Sequence, residues 1–300
     1  MERRVQVWQV GTWESDEGDL PTLTLGEIVD PGEFASMSEA TKLLVEMLEA
    51  SPYARAESRY NAWQQTLTEV AASFQGGPQG PLVLHHLSAA LDDLLSAVRA
   101  FDDRTSHSLS QWYGKDSAEF ACFQTALSVE FDASFAYRFC YKLRNYSQHC
   151  GSPISDIRAG SRLVDGELKE YFEPVFNSRT LLVKYKDWGK ARPDLEAIKG
   201  EFSVVAIVDG LWASCERVYA KVLLQQQPHL VGALTLLRRY VHIVRAGGLP
   251  VLIQVPSDVE RLEDLRRLTI LPIRVDLSDL AETALQQAVV ITGGLPDHLR

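Results

Sequence analysis

Between residues 82 and 101 the apolar positions Leu84, Leu87, Leu91, Leu94, Val98 and Phe101 recur at three- and four-residue spacing. That spacing lines one face of a long helix. Upstream, Ser36-Met37-Ser38-Glu39 reads as a capping box, with Ser at the N-cap and Glu three residues later. It predicts an amphipathic helix through Ala50, interrupted by Ser51-Pro52, and a second from Tyr53 to about Phe74, ended by Gly76-Gly77-Pro78. A further apolar–aromatic run passes through Phe120, Phe123, Leu127, Phe131, Phe135, Phe139, Leu143 and Tyr146, opened by Asp116 and Glu119. It is too long for one globular helix. A break is expected near 128–132, leaving one helix over 132–149 that stops at Cys150-Gly151-Ser152-Pro153.

The flanks read differently. Val5 to Gln9 and Leu23 to Ile28 have β character and predict a small N-terminal hairpin or extension. Asp165-Gly166, between Ser161–Val164 and Lys169–Phe176, predicts a β-hairpin, with Pro174 at an edge or end. Helices are expected over 202–226 and 229–246. They are followed by a small α/β region: strands at Val251–Val255 and Leu268–Val275, a helix capped by Ser257 with Glu260, and a last helix after Ser278. The expected organisation is an extension with short strands over 1–35, a helical bundle over 36–160, and a hairpin, helices and α/β region over 161–300. The expected fold class is mainly α.

Composition narrows the classes. Of 300 residues, 46 % are hydrophobic and 23 % charged, which excludes a disordered or low-complexity chain. No apolar run reaches the ~20 residues of a membrane span, and the first residues have no apolar leader core, so a cytoplasmic protein is expected. Cys122, Cys140, Cys150 and Cys215 lack CxxC spacing and read as reduced thiols. The net charge of −10 argues against a broad nucleic-acid platform or an anionic membrane partner. Its distribution is uneven. Residues 1–130 carry 20 acids and 8 bases, whereas 133–164 carry Arg138, Lys142, Arg144, Arg158 and Arg162 against Asp156 alone. A small cationic island suits a confined phosphate-handling site.

Walker A, GxGxxG, HExxH and GxSxG motifs do not occur. No His, Cys and carboxylate cluster has metal-ligand spacing, so neither a metal nor another cofactor is expected. His85 and His86 point to two faces of a helix, His107 and His298 stand in polar segments, and Arg238, His242 and Arg245 read as a solvated basic face. The distinctive stretch is Phe139 to Pro153, with Arg144, Asn145 and His149. At 100° per residue, Phe135, Phe139, Leu143, Tyr146 and Cys150 form an apolar stripe beside a second stripe of Arg138, Lys142, Asn145 and His149. Asn145 and His149, at i and i+4, are placed to share a hydrogen bond. Arg144 lies ~140° around and ~7.5 Å along the axis from His149, so one straight helix does not bring both onto a single phosphate.

Arg144-Asn145 followed by His149 resembles the RxxxxH signature of the HEPN superfamily (higher eukaryotes and prokaryotes nucleotide-binding domain), over roughly residues 36–155. The resemblance implies a HEPN-like helical bundle and a composite cleft between two paired copies. It also implies metal-independent endoribonuclease activity of a defence or toxin kind, with RNA as substrate and an antitoxin or regulatory protein as a further partner. In that chemistry His149 moves a proton at the ribose 2′-hydroxyl or the leaving 5′-oxygen, and Asn145 orients it. Arg144 clamps the phosphate through its planar fork, and Arg138 and Lys142 hold the strand. Three alternatives stand beside this reading: a non-catalytic nucleotide-binding or interaction module, a buried Arg–Asn–His network with a structural role, and an enzyme whose site lies in the C-terminal α/β part.

Overall fold

A computed structural model describes residues 6–14, 22–73, 80–256 and 269–294. The chain is mainly helical, with two small antiparallel sheets. It divides into two compact units, one formed by residues 1–51 with 226–289 and the other by 52–225 with 290–300. This grouping cuts across the boundaries expected at 35 and 160. Among the described residues no helix is long and apolar enough to cross a membrane.

The first unit joins two segments far apart in the chain. Strands β1 (Gln6–Glu14) and β2 (Thr22–Val29) form the expected antiparallel pair, and β1 also pairs from Gln6 to Trp13 with β6 (Leu249–Pro256), which pairs with β7 (Thr269–Pro272). The sheet order is β2-β1-β6-β7. Its core is Val251, Ile253 and Val255, packed by Val7, Trp13, Leu23, Leu25 and Ile270. Gly11 of β1 is required by close approach: a Cβ there would collide with the Ile253 side chain. Helix α1 (Pro31–Leu44) starts earlier than the capping box predicts. Asp30 is the true N-cap, accepting from the Gly32 amide at 2.8 Å with Pro31 in the first turn, and Ser36 lies inside the helix with its hydroxyl donating to the Gly32 carbonyl. Asp-Pro outcompetes the later Ser because proline's fixed φ and absent N–H suit the first helical position. A π-helical turn, Val45–Glu49, follows α1. α9 (Gln227–Arg238), α10 (Val241–Arg245) and α11 (Asp276–Thr292) complete the helices of this part, and α9 packs on α1. The expected single helix over 229–246 is therefore two, and the last helix begins before Ser278. The expected Ser257 cap and helix lie outside the described residues, as does His298.

The second unit is the helical bundle: α2 (Pro52–Ser73), α3 (Gly80–Tyr113), α4 (Ala118–Ala133), α5 (Phe135–Cys150) and α8 (Val204–Gln225). The apolar repeat of α3 behaves as its spacing predicts, with Leu87, Leu91, Leu94, Val98 and Phe101 buried, while His85 and His86 are exposed. Between α5 and α8 the chain forms β3 (Asp156–Val164), β4 (Glu167–Asn177), α6 (Ser178–Lys184), a 3-10 turn Gly189–Ala191, α7 (Arg192–Ala197) and β5 (Glu201–Ser203). β3 and β4 are the expected hairpin, closed at Val164↔Glu167. Asp165 (φ 53°) and Gly166 (φ 81°) both take positive φ, as a two-residue primed turn requires. The four cysteines are free thiols, Cys140 and Cys215 buried.

Candidate functional site: the α5 motif and the groove beside it

Helix α5 owes its position to two local signals. Ser134 is extended (φ −102°, ψ 115°) and its hydroxyl accepts from the Tyr137 amide at 3.2 Å, so it ends α4 and caps α5. The helix consequently begins at Phe135 rather than 132, and the break falls two residues beyond the expected window. At the other end Gly151 takes φ 92° and ψ −164°, a conformation open essentially to glycine alone.

Side chains leave α5 in three directions. Phe139, Leu143 and Tyr146 are buried, while Phe135 and Cys150, at the ends of the predicted apolar stripe, are half-buried. Phe139 packs on Phe176, Trp188 and Phe202, and Tyr146 on Tyr185 and Trp188. This aromatic cluster fixes the helix against the segment that follows it.

The second stripe faces acidic partners. Arg138 bonds Asp194 at 2.8 Å with only 14 % of its side chain exposed, and Lys142 pairs with Asp187 at 3.0 Å. The two residues expected to hold a strand are therefore engaged within the chain. His149 is exposed in the last turn and hydrogen-bonds to none of the described residues. The expected Asn145–His149 bond is absent, and Arg144, Asn145 and His149 do not form a hydrogen-bonded network, which removes the basis for the structural alternative.

Arg144 points elsewhere. It is half-buried, and its Nε is shielded from solvent without a partner. It lines a small cavity of about 20 Å³ together with Leu95, Arg99, Asp102, Tyr137 and Cys140. Arg144 and His149 thus lie on different sides of α5, as helical geometry requires, and do not converge within one chain.

Arg99, Asp102, Tyr137 and Tyr141 also line a larger groove of about 450 Å³ bounded by α3, α4, α5 and Lys190. Asp102 is only 6 % exposed. Its Oδ2 accepts from the Tyr137 hydroxyl at 2.8 Å, and its Oδ1 has no partner. Burial pushes its carboxyl up to about 7, against the lowering effects of the Tyr137 hydrogen bond and the Arg99 charge. Sequence reading missed this group. The available signal was a carboxylate directly after Phe101, within the helical face that also buries Val98, Thr105 and Leu109.

Among the described residues no group of three or more His, Cys, Asp or Glu side chains is arranged to hold a metal ion. No family model, no curated protein and no solved structure matches this chain.

Proposed function

We propose that the chain is a metal-independent endoribonuclease of HEPN type that works as a homodimer. The observation that carries this reading is the state of His149, exposed and unpartnered at the end of α5; Arg144 lies half-buried on another side of the same helix. A general base needs an accessible ring. Their divergence is resolved when a second copy supplies the complementary half. His149 then takes the proton of the ribose 2′-hydroxyl, that oxygen attacks the adjacent phosphorus as the bond to the 5′-oxygen breaks, and the 5′-oxygen leaves with the proton returned by His149. Arg144 stabilises the charge gathering on the phosphoryl oxygens.

The products of such a step carry 2′,3′-cyclic phosphate and 5′-hydroxyl ends. Purified protein is expected to cut single-stranded RNA in EDTA, and His149→Ala to lose about 10²–10⁴ in rate. Because His149 is exposed and unbonded, that variant should keep the wild-type melting temperature. Arg144→Lys should rescue Arg144→Ala poorly, since a point charge does not reproduce the planar fork. Intact RNA after incubation with wild-type protein would refute the catalytic reading.

A second reading has its own support. The Arg138–Asp194 and Lys142–Asp187 pairs occupy cations that a processive grip on RNA would use. A non-catalytic nucleotide-binding module needs neither, and it predicts saturable binding of RNA or nucleotide without cleavage.

A further inference from the structure

The hairpin that follows α5 leaves one strand edge open. In the sheet order β3-β4-β5, β3 is an edge strand, and residues 158–163 are all exposed. The two-residue turn fixes which backbone groups face outward. Val164↔Glu167, the pair flanking such a turn, exchanges both hydrogen bonds, so Arg158, Gly160 and Arg162 bond inward to β4. Ile157, Ala159, Ser161 and Leu163 therefore turn their N–H and C=O groups away from β4. The Ile157 amide shows this direction, donating to the Asp156 carboxylate at 2.8 Å. Native edges are normally blunted by a charge, a proline or a bulge. The middle of β3, Ala159-Gly160-Ser161, has none of these.

Charge decides what this edge accepts. Arg158 is drawn inward to bond Glu201 of β5. Arg162 lies 5.5 Å over the Tyr171 ring, and directly opposite it on β4 stands Lys169, a like charge. Among the described residues Arg162 has no carboxylate partner. Asp156 is exposed on the same face of β3. A second copy of β3 can lie antiparallel beside the first about a two-fold axis, with matching faces, only if one residue meets its own counterpart. Centred on Ala159, the pairing sets Asp156 against Arg162 of the second copy, twice over, and Arg158 against Gly160. Centred on Gly160 it sets Arg158 against Arg162, and centred on Arg158 it sets two arginines face to face. These charged positions are the non-hydrogen-bonded pairs, where side chains approach most closely, so like charges penalise the two wrong registers.

We propose that β3 is a homodimer interface, at which two hairpins join edge to edge about Ala159 into one antiparallel sheet held by reciprocal Asp156–Arg162 pairs. On joining, the Ile157 amide passes from Asp156 to the Ser161 carbonyl of the second copy, which frees the carboxylate for Arg162. The contact also relieves a weak point of the single chain. β5 pairs only with Val175–Asn177, so the rest of the hairpin is a two-stranded ribbon, marginal in water until further strands extend it. This interface rests on the homodimer reading for the number of copies and on no step of RNA cleavage.

Sedimentation of the full chain at micromolar concentration tests it. The wild type is expected to be a dimer. Asp156→Arg and Arg162→Asp each set like charges opposite one another at two places, and each should raise the dimer dissociation constant at least about tenfold. The double variant Asp156→Arg/Arg162→Asp reverses both pairs and should return to within about threefold of wild type. Ala159→Pro removes an outward N–H that β4 does not use, so it should leave the hairpin folded and give monomer. Wild-type melting curves in circular dichroism check that each variant is folded. A monomeric wild type, single charge variants that dimerise like the wild type, a double variant no better than the singles, or a dimeric Ala159→Pro would overturn the interface. Dimers that persist through every variant leave the α5 reading standing. A wild-type dimer that responds to the variants as expected and cuts no RNA upholds the interface and refutes the catalytic reading alone.

Discussion

Asp102 carries the most displaced carboxyl of the helical bundle that still titrates near neutrality, and the displacement is a statement about stability. Its ionisation lies near 4 in an unfolded chain and at about 7 in the folded one, because burial penalises the charged form. Between those values the folded state holds the proton that the unfolded state has released. The folded protein therefore loses stability as pH rises through that window, by up to about 4 kcal/mol, and no further loss accrues from this group above it. Asp102→Asn keeps an acceptor for Tyr137 and removes the charge. Denaturant unfolding of both proteins from pH 4 to pH 8 should show the variant gaining steadily on the wild type until pH 7, then a constant gap. Other carboxylates cancel in that difference. A pH-independent gap would mean that water reaches Asp102 and relieves its burial. At this scale the sequence reading found Arg144 and His149 through spacing, and their divergence through helical arithmetic. It could not find that Arg138 and Lys142 meet Asp194 and Asp187, because those acids lie some fifty residues away and only the fold brings them near.

At the scale of elements, local chemistry was legible where one signal acted without competition. Asp165-Gly166 set a primed turn, and the three- and four-residue apolar spacing set the buried face of α3. Where two signals competed, the reading chose wrongly: Asp30-Pro31 starts α1, and Ser36 merely bonds back to Gly32. The division between α4 and α5 is the instructive case. Nothing in the apolar pattern breaks there; one serine in extended conformation turns the chain, and the aromatic cluster of Phe139, Tyr146 and Trp188 holds α5 in its new direction. The two ends of α5 are consequently sensitive points. Ser134→Ala should cost about 1 kcal/mol through loss of the cap. Gly151→Ala should cost about 1–3 kcal/mol, because a Cβ is strained at φ 92° even though no neighbouring atom crowds it. Calorimetric melts of the two variants check this, and a silent Gly151→Ala would show that the chain after α5 can adopt another path.

At the scale of the whole molecule, the unreadable feature was long-range pairing: β1 joins β6 across most of the chain, and no local pattern specifies which distant strand an edge will meet. The same limit applies to assembly, where the α5 geometry nevertheless makes a sharp claim. If each working cleft takes Arg144 from one copy and His149 from the other, the two inactive variants should repair each other. Arg144→Ala supplies a good His149, and His149→Ala supplies a good Arg144. A mixed dimer then contains one cleft with both residues intact and one with neither. Random exchange makes about half the dimers mixed, each with one of its two clefts working, so an equal mixture should recover about a quarter of wild-type RNA cleavage. Were Arg144 and His149 to act from the same copy, every cleft in the mixture would lack one of them, and activity would stay at the level of the separate variants. Subunit exchange can be followed by sedimentation of a tagged chain, so a failure to mix is distinguishable from a failure to complement. Recovery near a quarter identifies a shared cleft, because the divergence of the two side chains around α5 leaves the second copy as the source of the missing group.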